Sequence, residues 1–124
     1  MTDGYTLVDL SAADTELSDK SGTPTVYLTD ALGTEEVRAT VRRLPPGRAM
    51  PYHHHDRQEE LYVLLEGAGS MIIDGERVDA TPPTVVRVPP ETPRQVLNDT
   101  EDEHVWLIVG APPVEDDGRP AYDE

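Results

Sequence analysis

Residues 47–67 read GRAMPYHHHDRQEELYVLLEG, and within them Gly47, His53, His55, Glu60 and Gly67 form the pattern G-x5-H-x-H-x4-E-x6-G. Side chains alternate along a strand, so His53 and His55 share one face and His54 takes the other. A turn around Asp56 to Gln58 lets Glu60 come back beside them from the next strand. Two imidazoles and a carboxylate converging from one side make a facial ligand set for a divalent metal, leaving positions open for water, dioxygen or substrate. A polar surface hairpin could carry the same spacing by accident. However, three of the chain's four histidines fall here together, with a carboxylate and two glycines in step, and that favours the metal set.

On either side of this run the strand signals are short and follow one another. Tyr5–Leu10 is a weak candidate and Thr23–Leu28 a better one. In Val37–Leu44, Val37, Ala39 and Val41 alternate with Arg38, Thr40 and Arg42. Further strands are expected at Met50–His55, Glu60–Leu65, Ser70–Ile73, Glu76–Ala80, Thr84–Val88, Gln95–Asn98 and His104–Val109. Asp74-Gly75 reads as a two-residue hairpin turn that accepts positive φ. The proline pairs at 45–46, 82–83, 89–90 and 112–113 punctuate the remainder, since proline cannot donate to an interior ladder. Ser11–Gly22 is expected to be loop. The pattern predicts an all-β, single-domain jelly-roll β-barrel. Residues 1–22 would form an N-terminal strand or arm, 23–110 the barrel, and 111–124 an acidic C-terminal tail. On β-strand Glu60–Leu65 both faces are apolar, which suggests cover on each side and a homodimer.

Composition narrows the function. With 124 residues the chain suits one domain with a single core. It has no cysteine, so disulfides, thiolate metal sites and a cysteine nucleophile are excluded together. No export signal is visible at the N-terminus, and no stretch approaches the roughly 20 apolar residues needed to cross a bilayer. A cytoplasmic location is expected. The net charge is −15 and the pI about 4.4, with Lys20 the single lysine. Nucleic acid and anionic membrane surfaces are therefore poor partners, because each requires a basic footprint. Carboxylates spread through the chain with almost no lysine fit a halophilic protein, whose self-repulsion salt would screen.

The run from Gly47 to Gly67 resembles the first signature of the cupin superfamily at both glycines, both histidines and the glutamate. The segment Pro89-Pro90-Glu91-Thr92-Pro93-Arg94-Gln95-Val96-Leu97-Asn98 is similar to the second signature, P-x-G-x2-H-x3-N. Pro89 and Asn98 match it. Glu91 stands in place of the glycine, and Arg94 in place of a fourth metal-binding histidine. The resemblance covers roughly residues 23–110 and implies a β-barrel, often homodimeric, with a divalent metal near its axis. Cupins include dioxygenases, isomerases, epimerases, decarboxylases and sugar-binding proteins, so the resemblance fixes no reaction.

A guanidinium cannot ligate a metal, since it has no lone pair to give. Metal would then bind through His53, His55 and Glu60 with waters while Arg94 pairs with Glu60, Glu91 or an anionic ligand. Alternatively His54 or His104 supplies the missing imidazole, or the metal is lost and the pocket takes an organic anion. As a substrate-binding residue Arg94 would offer a planar fork to a carboxylate or phosphate. Tyr52, Tyr62 and Trp106 are the aromatics expected to line the pocket. Arg38, Arg42 and Arg87 are expected to pair with carboxylates. Two functions are compatible with this set. One is a metal-dependent enzyme (Fe, Mn, Ni or Zn) of dioxygenase, isomerase or lyase type, acting on a small polar or anionic molecule. The other is a non-catalytic ligand-binding or sensing module.

Overall fold

The computed structural model describes residues 4–18 and 22–121. The extreme ends of the N-terminal arm and of the acidic tail, with Lys20, lie outside the described residues. In chain order the first strands are β1 (Glu16–Leu17), β2 (Pro24–Tyr27), β3 (Arg38–Leu44), β4 (His53–His55) and β5 (Glu59–Glu66). There follow β6 (Gly69–Ile73), β7 (Glu76–Ala80), β8 (Thr84–Val88), β9 (Arg94–Leu97), β10 (His104–Ala111) and β11 (Gly118–Pro120). They build two antiparallel sheets, ordered β1-β2-β3-β10-β5-β8 and β11-β4-β9-β6-β7. This is the expected all-β jelly roll, with its two sheets not joined into a closed barrel.

Alternation on β5 shows how the sequence chooses the layers. Glu60, Tyr62 and Leu64 are buried, while Leu61 and Leu65 stay exposed on the other side. Tyr62 and Leu64 meet Leu44, Val88, Trp106 and Ile108 of their own sheet and Met71 and Val96 of the opposite one. Each such buried apolar side chain contributes about 1.5–3 kcal/mol. A second cluster lies on the outer side of β3 and β10, where Val26, Leu28, Ala39, Val41 and Val105 are covered by Val8, Leu10 and Ala13. The alternation on β3 therefore turns Ala39 and Val41 outward and Arg38, Thr40 and Arg42 inward, while Leu44 at its end joins the inner core.

The Asp74-Gly75 turn joins β6 to β7 as expected, with Ile73 paired to Glu76 and both turn residues at positive φ. Tyr5–Leu10 makes no strand; Val8 and Leu10 serve instead as cover for the outer cluster. Three elements escaped the alternation rule, the first being the two-residue β1, which pairs with β2 inside the segment expected to be loop. A single helical turn, α1 (Leu28–Leu32), ends on Gly33, whose φ of 72° lets its N–H close on the Thr29 carbonyl. The C-terminal segment contributes β11, which pairs with β4 in the register Gly118↔His55 and Pro120↔His53. No helix among the described residues is long and apolar enough to cross a membrane.

Candidate metal centre

β4 and β5 lie in different sheets, so His53 and His55 face Glu60 across the interior and not along one hairpin. The turn between them changes sheets because Asp117 pins it: its carboxylate accepts the backbone N–H groups of Arg57 and Gln58, the latter at 2.8 Å. One ligand atom from each of His53, His55 and Glu60 falls within 4.8 Å of the others. Glu60 Oε1 is 3.4 Å from His55 Nε2 and 3.9 Å from His53 Nε2. Metal bonds of about 2.0–2.2 Å from a shared ion would hold ligand atoms at comparable separations.

Each group is in the state that ligation requires. A carbonyl can only accept, so the 2.9 Å contact of His53 Nδ1 with the Pro51 carbonyl puts the proton on Nδ1 and leaves a lone pair on Nε2. His55 Nδ1 faces the Asp117 carboxylate at 3.4 Å, an outer partner of the kind that fixes a ligating imidazole. Neither ring nitrogen of His55 makes a well-formed hydrogen bond among the described residues, although both are buried. That orphaned, buried Nε2 is what a metal would satisfy. Burial alone would raise the Glu60 carboxyl, but its contacts with His53, His55 and Tyr62 outweigh burial and hold it well below the usual carboxylate range. The Tyr62 hydroxyl donates to Glu60 Oε1 at 2.6 Å. Burial and the adjacent Glu60 charge push this phenol well above its ordinary value, so it remains a donor at neutral pH.

The motif's glycines have separate mechanical roles. Gly47, at φ 78°, closes the turn in which Arg48 N–H reaches the Pro45 carbonyl, and it leads the chain into β4. Gly67 combines φ 84° with a packing limit, since a Cβ there would sit 2.6 Å from the Glu103 carbonyl oxygen. Asn98 ends the second segment as a buried tie, donating to the carbonyls of Leu44 and Asp102.

Arg94 lies opposite His53 in the β4–β9 register, at the position the resemblance implies. It is fully buried, with Nε 3.9 Å from Glu60 Oε1. Its terminal nitrogens donate to the carbonyls of Pro89 at 2.7 Å, Val88 at 3.3 Å and Pro90 at 3.4 Å. Arg94, expected to anchor substrate, thus has its terminal nitrogens on backbone carbonyls and is absent from the wall of the cavity that adjoins the cluster.

A cavity of about 680 Å³ opens on the cluster. Tyr52 and Tyr62 line it, as expected, and so do Gln58 and Asp117. Trp106 does not; it is wholly buried in the inter-sheet core, edge-to-face with Tyr62 at 6.5 Å. His104, the candidate extra ligand, lies away from the cluster. It lies six positions along β10 from Gly110, the residue registered with Glu60, which is roughly 20 Å at strand rise. There it is buried against Thr100 Oγ1 at 3.2 Å. His54 is absent from the cavity wall. Arg87 pairs with Glu59 on the outer face, as expected, whereas Arg38 and Arg42 have no carboxylate partner among the described residues and border the cavity.

A family profile described as "Cupin domain" matches residues 40–110. Among curated proteins, the uncharacterized protein MJ1618 of Methanocaldococcus jannaschii is 34% identical over 55 residues, which is 44% of each chain. The chain thus aligns with less than half the length of that relative. The polyketide cyclase RemF from Streptomyces resistomycificus superposes with a TM-score of 0.81 at 19% identity, over 95% of this chain and 86% of that one. A putative sugar phosphate isomerase from Acidithiobacillus ferrooxidans gives 0.75 at 23% identity, over 84% and 73%. A predicted oxalate decarboxylase from Thermotoga maritima gives 0.74 at 20% identity, over 84% and 96%. At such identities the likeness is one of fold.

Proposed function

Since the chain belongs to the cupin superfamily, we propose that His53, His55 and Glu60 hold one divalent metal and that the protein is a metal-dependent enzyme acting on a small polar or anionic molecule. The observation that carries this is the orphaned, buried His55 Nε2, aimed at an ionised Glu60 beside a preset His53 Nε2. When bound, Fe(II) would support oxygen chemistry, and Mn, Ni or Zn would polarise a carbonyl or hydroxyl group for isomerase- or lyase-type reactions. The chain's own residues supply orientation and shelter. Pro51 and Asp117 fix the two imidazoles, the Tyr62 hydroxyl donates a hydrogen bond to the Glu60 carboxylate, and Tyr62 and Ile108 line one side of the cavity. The neighbours named as isomerase, decarboxylase and cyclase are compatible with such chemistry on this fold. Binding without turnover is the second reading, favoured by Arg94 in the place of a fourth ligand.

Metal analysis tests the proposal. After native purification about one equivalent of a divalent transition metal is expected, and His53→Ala should remove it. A wild-type protein that neither retains such a metal nor takes one up on reconstitution would overturn it. We extend the proposal to a homodimer through the outer faces of β5 and β8, where Leu61, Leu65 and Val85 are 41%, 39% and 61% exposed. Light scattering should give twice the chain mass, falling to the single-chain mass in Val85→Glu; a monomeric wild type refutes it.

A further inference from the structure

The inner face of the six-stranded sheet is divided in two. Toward β10, β5 and β8 it is apolar, with Trp106, Ile108, Tyr62, Leu64 and Val88. Toward β3 it is polar, because the register aligns Arg38 with Gly110 and Glu60, Thr40 with Ile108 and Tyr62, and Arg42 with Trp106 and Leu64. Arg38 and Arg42 are thus on the same sheet face as the metal-cluster carboxylate, two strands away. Both border the cavity.

Arg42 is half-buried yet unpaired. Its Nε donates to Thr40 Oγ1 at 3.3 Å and one terminal nitrogen to Thr25 Oγ1 at 3.0 Å. A guanidinium has five N–H donors, so most of its fork is uncommitted among the described residues. The two threonine hydroxyls hold the planar group in place without neutralising it. Five other arginines (Arg43, Arg77, Arg87, Arg94 and Arg119) each have a carboxylate within 4.0 Å, while Arg48 and Arg57, which have none among the described residues, are exposed and outside the cavity. In a chain with 25 acidic and 10 basic side chains, a cation left without an acid inside a cavity is unusual. The acids that share the cavity are otherwise engaged or outside it: Glu60 faces the histidines, Asp117 holds the 56–58 turn, and Asp30, Glu115 and Asp116 are exposed at the mouth. A partly desolvated cation with free donors is completed by an anion brought from solution.

We propose that Arg42, assisted by Arg38, is the anion anchor of this cavity, so that the substrate carries a carboxylate or phosphate group bound opposite the ligand cluster. As a substrate class this rests on the metal-enzyme proposal, but the anion site itself does not require the metal. Burial depresses the Arg42 pKa, opposed by the charge of the Glu60 carboxylate; an arginine remains charged at every working pH.

Calorimetric titration of EDTA-treated protein with inorganic phosphate and, separately, with succinate tests the site. Saturable binding of at least one anion is expected, and which one identifies the group recognised. Arg42→Gln should weaken it about 10- to 100-fold, the effect of losing a charge-assisted fork. Arg87→Gln removes the same charge from the outer face and should change binding by no more than about twofold. Arg42→Lys keeps the charge without the fork and should lose a large part of the binding; it decides the matter if Arg42→Gln fails to fold by circular dichroism. Equal losses in the position-42 and position-87 variants, or no binding by the folded wild type, overturn the anchor. Anion binding that persists in a protein unable to take up metal would leave the anchor standing and remove the metal-enzyme proposal instead.

Discussion

Glu60→Ala should abolish stoichiometric metal binding and should also destabilise the metal-free protein. Metal sites of about four ligands are worth about 10–16 kcal/mol in total, so one ligand carries roughly 3 kcal/mol, or about a hundredfold in affinity. The effect on the metal-free fold arises from what Glu60 leaves behind. Its carboxylate is the acceptor for Tyr62 at 2.6 Å and the only acid within 4.0 Å of the buried Arg94 among the described residues. Removing one partner of a buried pair costs about 3–5 kcal/mol; the carbonyls of Val88, Pro89 and Pro90 still hold Arg94 and place this case at the lower end. Glu60→Gln, which keeps a carbonyl oxygen near Tyr62, should lose metal but recover part of the stability.

The pH dependence of that stability has a definite sign. The folded carboxyl lies below its ordinary value of 4.5, so the unfolded chain takes up its proton first as acid is added. Glu60's contribution is therefore complete above pH 4.5 and declines as the pH falls below it. Thermal melts of the metal-free wild type and Glu60→Ala should converge on acidification. A difference that stays constant from pH 7 to pH 3 would show that the carboxylate's charge is not what stabilises the fold.

Local rules made the His53–His55–Glu60 cluster legible, whereas the groups that govern it come from elsewhere in the chain. Alternation put His53 and His55 on one face, and that needs only the backbone period. Whether Glu60 meets them along a hairpin or across two sheets depends on the turn at 56–58, which is set by Asp117, about sixty residues away. Asp117 sits in an acidic, proline-containing segment with no strand pattern, so its role as the outer partner of His55 had no local signal. Arg42 was missed for a different reason. Alternation on β3 separates Ala39 and Val41 from Thr40 and Arg42, but it cannot say which set faces the interior. The covering residues Val8, Leu10 and Ala13 decide that by burying the apolar set from outside. His104 and Trp106 show the same limit: an inward direction is readable from β10, but the distance along it from the metal cluster is fixed by the register of β10 against β5.

Arg94→His should raise divalent-metal affinity by at least about a hundredfold while lowering the stability of the metal-free protein. The β4–β9 register sets position 94 opposite His53, and the present side chain already approaches Glu60 Oε1 to 3.9 Å. An imidazole there is directed toward the cluster and brings a lone pair that guanidinium lacks. It also removes a cation. A unit charge about 5 Å from a divalent ion costs about 7 kcal/mol at an effective dielectric near 20, before relaxation, so the ligand gain and the lost repulsion act in the same direction. Against them stands the loss of three carbonyl contacts, each worth about 1 kcal/mol net, and this penalty falls on the metal-free and metal-bound forms alike. The two forms should therefore separate: a lower melting temperature than wild type without metal, and a larger rise on adding it. A hundredfold tighter site adds about 2.7 kcal/mol of metal-dependent stabilisation at saturating metal. Competition titration against a chromophoric chelator measures the affinity directly. An affinity unchanged from wild type, in a variant that still folds, would show that position 94 is outside ligand reach and that Arg94 does not limit the metal site.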